Sequence, residues 1–177
     1  MVLFFITSNP GKFREAQAII GDLEQLDVDL PEIQEIDAKR IITAKLAAAF
    51  EYQSGEFIVE DISLYLDCLH GLPGPLIKWF LKTMGNAGLV EITQKFGNNR
   101  AQAKIIIGYA KSKDDVKFFE NTIEGTIVEQ RGEGGFGWDP IFQPTGSAKT
   151  FAEMTPAEKN SISMRRLALE KLKKSRI

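Results

Sequence analysis

Apolar and polar positions along this chain follow two periods, and the switches between them place its elements. Val2 to Ile6 is a continuous apolar run, and Phe13, Ala16 and Ile20 then recur at helical spacing up to a stop at Gly21. A strand therefore leads through a polar loop into a helix. Leu26 to Leu30 alternates Asp with Leu or Val, which predicts a short strand with one wet face that runs into Pro31 and Glu32. Ile41, Ile42, Leu46, Ala49 and Phe50 form the stripe of a second helix ending near Ser54 and Gly55. Phe57 to Val59 predicts a compact buried strand closed by Glu60 and Asp61, with another short strand over Leu64 to Asp67.

The second half changes character. Gly71-Leu72-Pro73-Gly74-Pro75 is a rigid loop that delivers a helix over Leu76 to Leu81; a turn over Met84 to Ala87 and a helix over Gly88 to Phe96 follow. From Ala101 to Tyr109 the alternation predicts a long strand with one apolar face. Ser112 to Asp115 reads as a turn into Val116 to Ile123, and Gly125 as an interruption before Thr126 to Gln130, so the pattern predicts an antiparallel meander. Thr155-Pro156-Ala157-Glu158 is a capping box with proline at the first helical position, opening a last helix on which Lys159, Ser163 and Arg166 share a side, with Arg165 beside them. Its basic end, Lys171 to Arg176, suits a helix C-terminus. No repeat, low-complexity tract or linker marks a boundary, so residues 1–177 are expected to form a single domain.

Composition narrows the partners. With 177 residues and 44% hydrophobic content, the chain can bury one good core. A net charge of -2 gives no global attraction to nucleic acid or an anionic membrane, so any phosphate binding must come from local lysines. No apolar stretch approaches the roughly 20 residues that span a bilayer. A single cysteine, Cys68, makes a reducing cytoplasm the expected home, and the single histidine, His70, has no second metal ligand spaced with it.

Three clusters carry candidate chemistry. The loop Thr7-Ser8-Asn9-Pro10-Gly11-Lys12 lies between a strand end and a helix N-terminus, where first-turn N–H groups, short polar side chains and a lysine suit a phosphate. Lys45 falls inside the apolar stripe of the second helix, and Lys78 is set among Ile77, Trp79, Phe80 and Leu81, so both ammonium groups emerge from apolar surroundings. Glu60 and Asp61 are adjacent strand residues facing opposite ways, so only one looks into a given cleft. With Glu32 from another strand end, such an acid suits Mg²⁺, which takes one or two carboxylates plus substrate phosphates. In the glycine-rich stretch from Arg131 to Pro140, Trp138 has two readings: a platform that stacks on a base, or a plug in the core beneath a hairpin.

Taken in order and spacing, these segments resemble the ITPase-type nucleoside triphosphate pyrophosphatases, with wording closest to the eukaryotic-type branch. The resemblance rests on Thr7 to Lys12, Leu30-Pro31-Glu32, Val59-Glu60-Asp61, Gly71 to Pro75, Ile77-Lys78-Trp79-Phe80, Phe136-Gly137-Trp138-Asp139-Pro140 and Ala157-Glu158-Lys159-Asn160. It implies a two-lobed α/β fold with a long, bent mixed sheet flanked by helices, an active site in the cleft between lobes, and a homodimer. It further implies hydrolysis of deaminated purine nucleoside triphosphates such as ITP, dITP and XTP to the monophosphate and pyrophosphate. Under it, Thr7, Ser8, Asn9, Pro10, Gly11 and Lys12, with Lys45 and Lys78, hold the triphosphate; Glu32 and Asp61 handle Mg²⁺; and Asp61 accepts a proton from the attacking water. Phe136, Gly137, Trp138, Asp139, Lys159 and Arg165 surround the base. Two positions depart from the family's wording: Met164 stands where a histidine is usual, and Ile62 where a Thr or Ser hydroxyl is usual. The alternative they motivate is a nucleotide-binding or regulatory protein with reduced turnover or altered base preference.

Overall fold

The structure is a computed structural model, and it describes residues 1–176, with the side chain of Arg176 outside the described set. The chain runs β1 (Leu3–Ile6), α1 (Pro10–Ile20), β2 (Glu24–Leu26), α2 (Ala38–Tyr52), β3 (Glu56–Leu66), β4 (Pro73–Gly74), α3 (Ile77–Thr83) and α4 (Gly85–Phe96). It continues through β5 (Arg100–Ser112), β6 (Asp115–Ile127), β7 (Phe142–Pro144), α5 (Pro156–Ser161) and α6 (Met164–Arg176). The strands form a mixed seven-stranded sheet in the order β2-β1-β3-β5-β6-β7, with β4 paired to β3. β1 is parallel to both β2 and β3, whereas β4 is antiparallel to β3 and β7 to β6. This is an α/β architecture, as the alternating pattern predicts.

The described residues divide into two compact units. The first comprises residues 1–61, 105–121 and 164–176. Its core is built where the α2 stripe meets the sheet: Ile42, Leu46 and Ala49 pack with Phe57, Val59, Ile106 and Ala110. Gly108 is what lets α2 approach so closely, because a Cβ there would lie 2.1 Å from Ile42 Cγ2. The second unit comprises Ile62–Lys104 and Thr122–Ser163. Within it, Trp138, Phe142 and Phe151 form a cluster of three packed rings.

Boundaries differ from the sequence reading: α1 begins at Pro10, inside the expected loop, α4 begins at Gly85, inside the expected turn, and four further differences have a local reason. Strand β2 ends at Leu26, so residues 27–30 are not a strand and Glu32 lies in an irregular segment leading to α2. The two predicted strands around Glu60 and Asp61 are one strand, β3, whose far half is paired by β4 at Leu64 and Tyr65. Gly125 does not interrupt β6; β7 crosses so near that a Cβ on Gly125 would lie 2.6 Å from the Gln143 carbonyl oxygen. The predicted last helix is two helices, because Ile162 and Ser163 donate their N–H groups to Lys159 and Asn160, tightening the chain out of α5. Ser163 therefore does not share a helical side with Lys159.

Candidate functional site

The strand-to-helix junction folds as the sequence suggests, but its donors are used differently. Asn9 caps α1, its Oδ1 accepting from the N–H groups of Gly11 at 2.8 Å and Lys12 at 3.1 Å. Pro10 has no N–H to offer, so the first turn is satisfied by the chain itself rather than held open. Gly11 makes room for that cap, since a Cβ there would sit 3.1 Å from Asn9 Oδ1. Thr7 Oγ1 accepts the Asn9 N–H at 3.1 Å and braces the loop. Ser8 lies between them and is exposed. What the loop presents for anion binding is thus its hydroxyls and the Lys12 ammonium.

Lys12 ends on a buried carboxylate. Its Nζ lies 2.8 Å from Glu60 Oε1, and the Glu60 side chain is only 5% exposed. Arg165, near the start of α6, grips the same carboxylate with two donors, Nε to Oε2 at 2.8 Å and Nη2 to Oε1 at 3.1 Å. Its third nitrogen, Nη1, reaches Glu15 Oε2 on α1 at 2.8 Å. Burial would push the Glu60 carboxyl up, but the charges of Arg165 and then Lys12 outweigh it and hold Glu60 below the usual carboxylate range. Burial likewise works against the charge on Arg165, and Glu60 and Glu15 outweigh it, so the guanidinium is held more firmly charged than usual. Sequence reasoning did not assign Glu60 or Glu15 a role; only the alternation of Glu60 with Asp61 hinted that the two acids part company.

The second lysine of this unit is paired too. Lys45 Nζ meets Glu32 Oε1 at 2.5 Å, joining α2 to the irregular segment that precedes it. The Lys45 side chain is 16% exposed, as expected for a stem lying along the α2 stripe, and that of Glu32 is 40% exposed. Asp61 is half-buried on β3, and Met164 is half-buried at the first position of α6.

In the second unit, half-buried Ile62 is the β3 residue directly after Asp61. The glycine-rich stretch resolves its two readings in favour of a plug. Trp138 is 7% exposed and packs edge-on to Phe142, with ring centroids 5.4 Å apart. Asp139 is 6% exposed and staples the loop: its Oδ2 accepts the Phe136 N–H at 2.6 Å and Lys159 Nζ at 2.5 Å. Phe136, by contrast, is 83% exposed, so the ring available for stacking is Phe136. Gly137 adopts φ +58°, and its carbonyl accepts from Asn86 Nδ2 at 3.0 Å, a partner that no sequence signal marked. Lys159 also lies 5.2 Å over the Phe151 ring. Lys78 is exposed, with its ammonium 5.7 Å over the Trp79 ring. A surface cavity of about 410 Å³ elsewhere in this unit, lined in part by Val90, Thr93, Asn98 and Glu129, shares no residue with these clusters.

A mixed sheet flanked by helices, with Lys12 in the helix that follows β1 paired to a buried carboxylate, defines an α/β protein of the class whose ligands gather at strand ends. The chain belongs to the Ham1 family, whose sequence profile matches residues 3–175. It is 43% identical over 173 residues to inosine triphosphate pyrophosphatase 1 of Trypanosoma cruzi, covering 95% of this chain and 88% of that one. It is 41% identical over 175 residues to inosine triphosphate pyrophosphatase of Schizosaccharomyces pombe, covering 97% and 93%. Among solved structures, a HAM1 protein from Coxiella burnetii aligns with a TM-score of 0.84 at 26% identity over 99% of this chain and 98% of that one. The Staphylococcus aureus Ham1 protein aligns with a TM-score of 0.83 at 27% identity, over 98% and 97%.

Proposed function

We propose that this protein hydrolyses deaminated purine nucleoside triphosphates, ITP, dITP and XTP among them, to the monophosphate and pyrophosphate. The observation that carries the reading is its nearly full-length likeness, at 41 to 43% identity, to proteins named inosine triphosphate pyrophosphatase. The paired lysines and acids add a physical basis. In this reading the hydroxyls of the Thr7–Lys12 loop and the ammonium groups of Lys12, Lys45 and Lys78 hold the triphosphate. Phe136 stacks on the base. Gly137, Trp138, Asp139 and Lys159 shape and support that contact, and Arg165 donates to the base.

Hard oxygen donors are what Mg²⁺ requires, and Glu32 and Asp61 supply one carboxylate each. Among the described residues no group of three or more His, Cys, Asp or Glu side chains is arranged to hold a metal. The reading therefore requires the remaining ligands to be substrate phosphates and water. Bound there, Mg²⁺ would neutralise phosphate charge in the manner general to such transfers.

Hydrolysis at the α-phosphorus is then a single displacement by water. Asp61 takes a proton from the attacking water; the water oxygen bonds to the α-phosphorus; and the bond from that phosphorus to the bridging oxygen breaks, releasing pyrophosphate. Lys12, Lys45 and Lys78 hold the charge that develops on the departing group. A 6-oxo purine offers an acceptor to the Arg165 guanidinium where adenine offers a donor, which discriminates by leaving the wrong base unpaired. Met164 and Ile62 bring no hydrogen-bonding side chain to the positions where the family usually carries His and a hydroxyl, so selectivity rests more heavily on Arg165.

We further propose a single functional domain over residues 1–177, a homodimer, and a cytoplasmic setting; no described helix is long and apolar enough to cross a membrane. The deciding experiment incubates the protein with Mg²⁺ and a panel of nucleoside triphosphates and resolves the products. Monophosphate and pyrophosphate from ITP are expected. Diphosphate and phosphate would overturn the reading, and tight nucleotide binding without products would replace the enzyme by a sensor.

A further inference from the structure

Glu60 is buried, charged and unused by the reaction just described, yet it touches two residues to which different tasks fall. Its Oε1 accepts from Lys12 at 2.8 Å and from Arg165 Nη2 at 3.1 Å, and its Oε2 accepts from Arg165 Nε at 2.8 Å. We propose that Glu60 is a positioning residue that couples base reading to phosphate holding, by gripping the phosphate-loop lysine and the base-facing arginine with one carboxylate. The proposal rests on the roles assigned above to Lys12 and Arg165.

The physical reason is that a buried carboxylate does not tolerate the loss of a partner. Withdrawing either cation leaves an uncompensated charge in a site that water reaches poorly, so a change at one cation is felt at the other. The three members are not equally free. Arg165 is held by a second acid, Glu15 at 2.8 Å, and is 17% exposed, whereas Lys12 is 30% exposed and is held in this cluster by Glu60. Lys12 is therefore the member that gives. A base that draws on the Arg165 guanidinium weakens what Arg165 offers Glu60, and the carboxylate compensates by holding Lys12 harder and in one place. Phosphate position thus becomes sensitive to which base is present. By the alternation of the strand, Asp61 points away from this cluster, so the two adjacent acids divide the labour: one orders cations, the other faces the water.

The test uses the full chain and two kinds of ligand: inorganic tripolyphosphate, which has phosphates and no base, and the substrates ITP and ATP. Glu60→Gln keeps the shape and removes the charge. Calorimetry should show tripolyphosphate binding the variant about tenfold more tightly, the scale of one charge-assisted hydrogen bond released to the ligand. Arg165→Lys should change tripolyphosphate affinity in the wild-type background and leave it unchanged beside Glu60→Gln. The ITP-to-ATP ratio of kcat/KM should shift in Glu60→Gln by about tenfold as the link is cut, and an unchanged ratio overturns the proposal. A folded Glu60→Gln variant with unaltered tripolyphosphate affinity, or additive effects of the two substitutions, overturns the proposal, since a merely structural glutamate would lower the melting temperature without coupling them. Should Glu60→Gln not fold, Lys12→Met serves instead. A lysine that touches only phosphate must lower ITP and ATP turnover equally, so an unchanged ratio overturns the link and a changed ratio supports it. Wild-type protein that releases no monophosphate from ITP would defeat the enzymatic reading, while the tripolyphosphate cycle would still decide whether Glu60 links the two cations.

Discussion

Replacing Trp138 by alanine separates a core plug from a base platform. The indole is 7% exposed, sits 5.4 Å edge-on from Phe142 and 6.1 Å from Phe151, and those two rings are themselves 5.2 Å apart. Burying roughly 200 Å² of aromatic surface at about 25 cal/mol per Å² gives about 5 kcal/mol as an upper figure. Large-to-small substitutions of buried aromatics lose about 3–5 kcal/mol, so Trp138→Ala should destabilise the chain by about 4 kcal/mol. At about 2–4 °C per kcal/mol for a domain of this size, the melting temperature should fall by about 12 °C. Urea unfolding followed by far-UV circular dichroism reads the first quantity, and a thermal scan the second. Phe136→Ala makes the opposing control, because Phe136 is 83% exposed. It should leave stability within about 0.5 kcal/mol while raising KM for ITP about tenfold or more, the scale of a lost base-stacking contact. A Trp138→Ala variant that loses less than about 1 kcal/mol yet shows that same rise in KM would refute the argument and return Trp138 to the base.

Further outcomes follow from single residues. Asp61→Asn should keep its circular dichroism spectrum and lose about 10²- to 10⁴-fold in kcat, the range for removing a general base; normal turnover in a folded variant would exclude that role. Gly108→Ala should cost about 1–3 kcal/mol by overpacking, because its Cβ would lie 2.1 Å from Ile42 and 3.1 Å from Leu46, and chemical denaturation reads it directly. Glu158 is held well below its usual 4.5, at about 2, by Lys149 first and then by the Thr155 cap. A lowered folded value means its contribution is complete above about pH 4.5 and fades as pH falls towards 2. The difference in melting temperature between wild type and Glu158→Gln should therefore shrink over that window, and a difference independent of pH would contradict it.

Local chemistry was legible in the sequence wherever a residue's neighbours along the chain decide its structure. The Val2 to Ile6 run, the Phe13, Ala16 and Ile20 stripe stopped at Gly21 and the Thr155 to Glu158 box all fold as their patterns require, and both sides of that capping box are formed. Elements whose length is set by a distant partner were misread. Charge at Glu60 and Asp61 looks like a strand end, yet β3 continues because Glu60 is neutralised by Lys12 and Arg165 and because β4 pairs beyond it. Gly125 looks like an interruption, but its missing side chain is what admits β7. Trp138 was ambiguous for the same reason: whether an aromatic beside glycines faces inward depends on Phe142 and Phe151, and only Phe142 is close in sequence.

The acids beside the lysines follow one logic that composition conceals. A net charge of -2 says nothing about phosphate. Within the folded units, Lys12 meets Glu60, Lys45 meets Glu32 and Lys159 meets Asp139, at 2.8, 2.5 and 2.5 Å. Each pairing orders a long, flexible side chain before a ligand arrives, which removes much of the entropy that binding would otherwise have to overcome. Under the proposed reading, an incoming triphosphate competes with a carboxylate for Lys12 and for Lys45. The balance differs with burial: Glu32 is 40% exposed and is readily resolvated when Lys45 turns to a phosphate, whereas Glu60 is 5% exposed and keeps its claim on Lys12. Raising salt should therefore weaken the Lys45 pair and leave the Glu60 cluster nearly intact, so what remains of nucleotide selectivity at high ionic strength is what Glu60 and Arg165 provide.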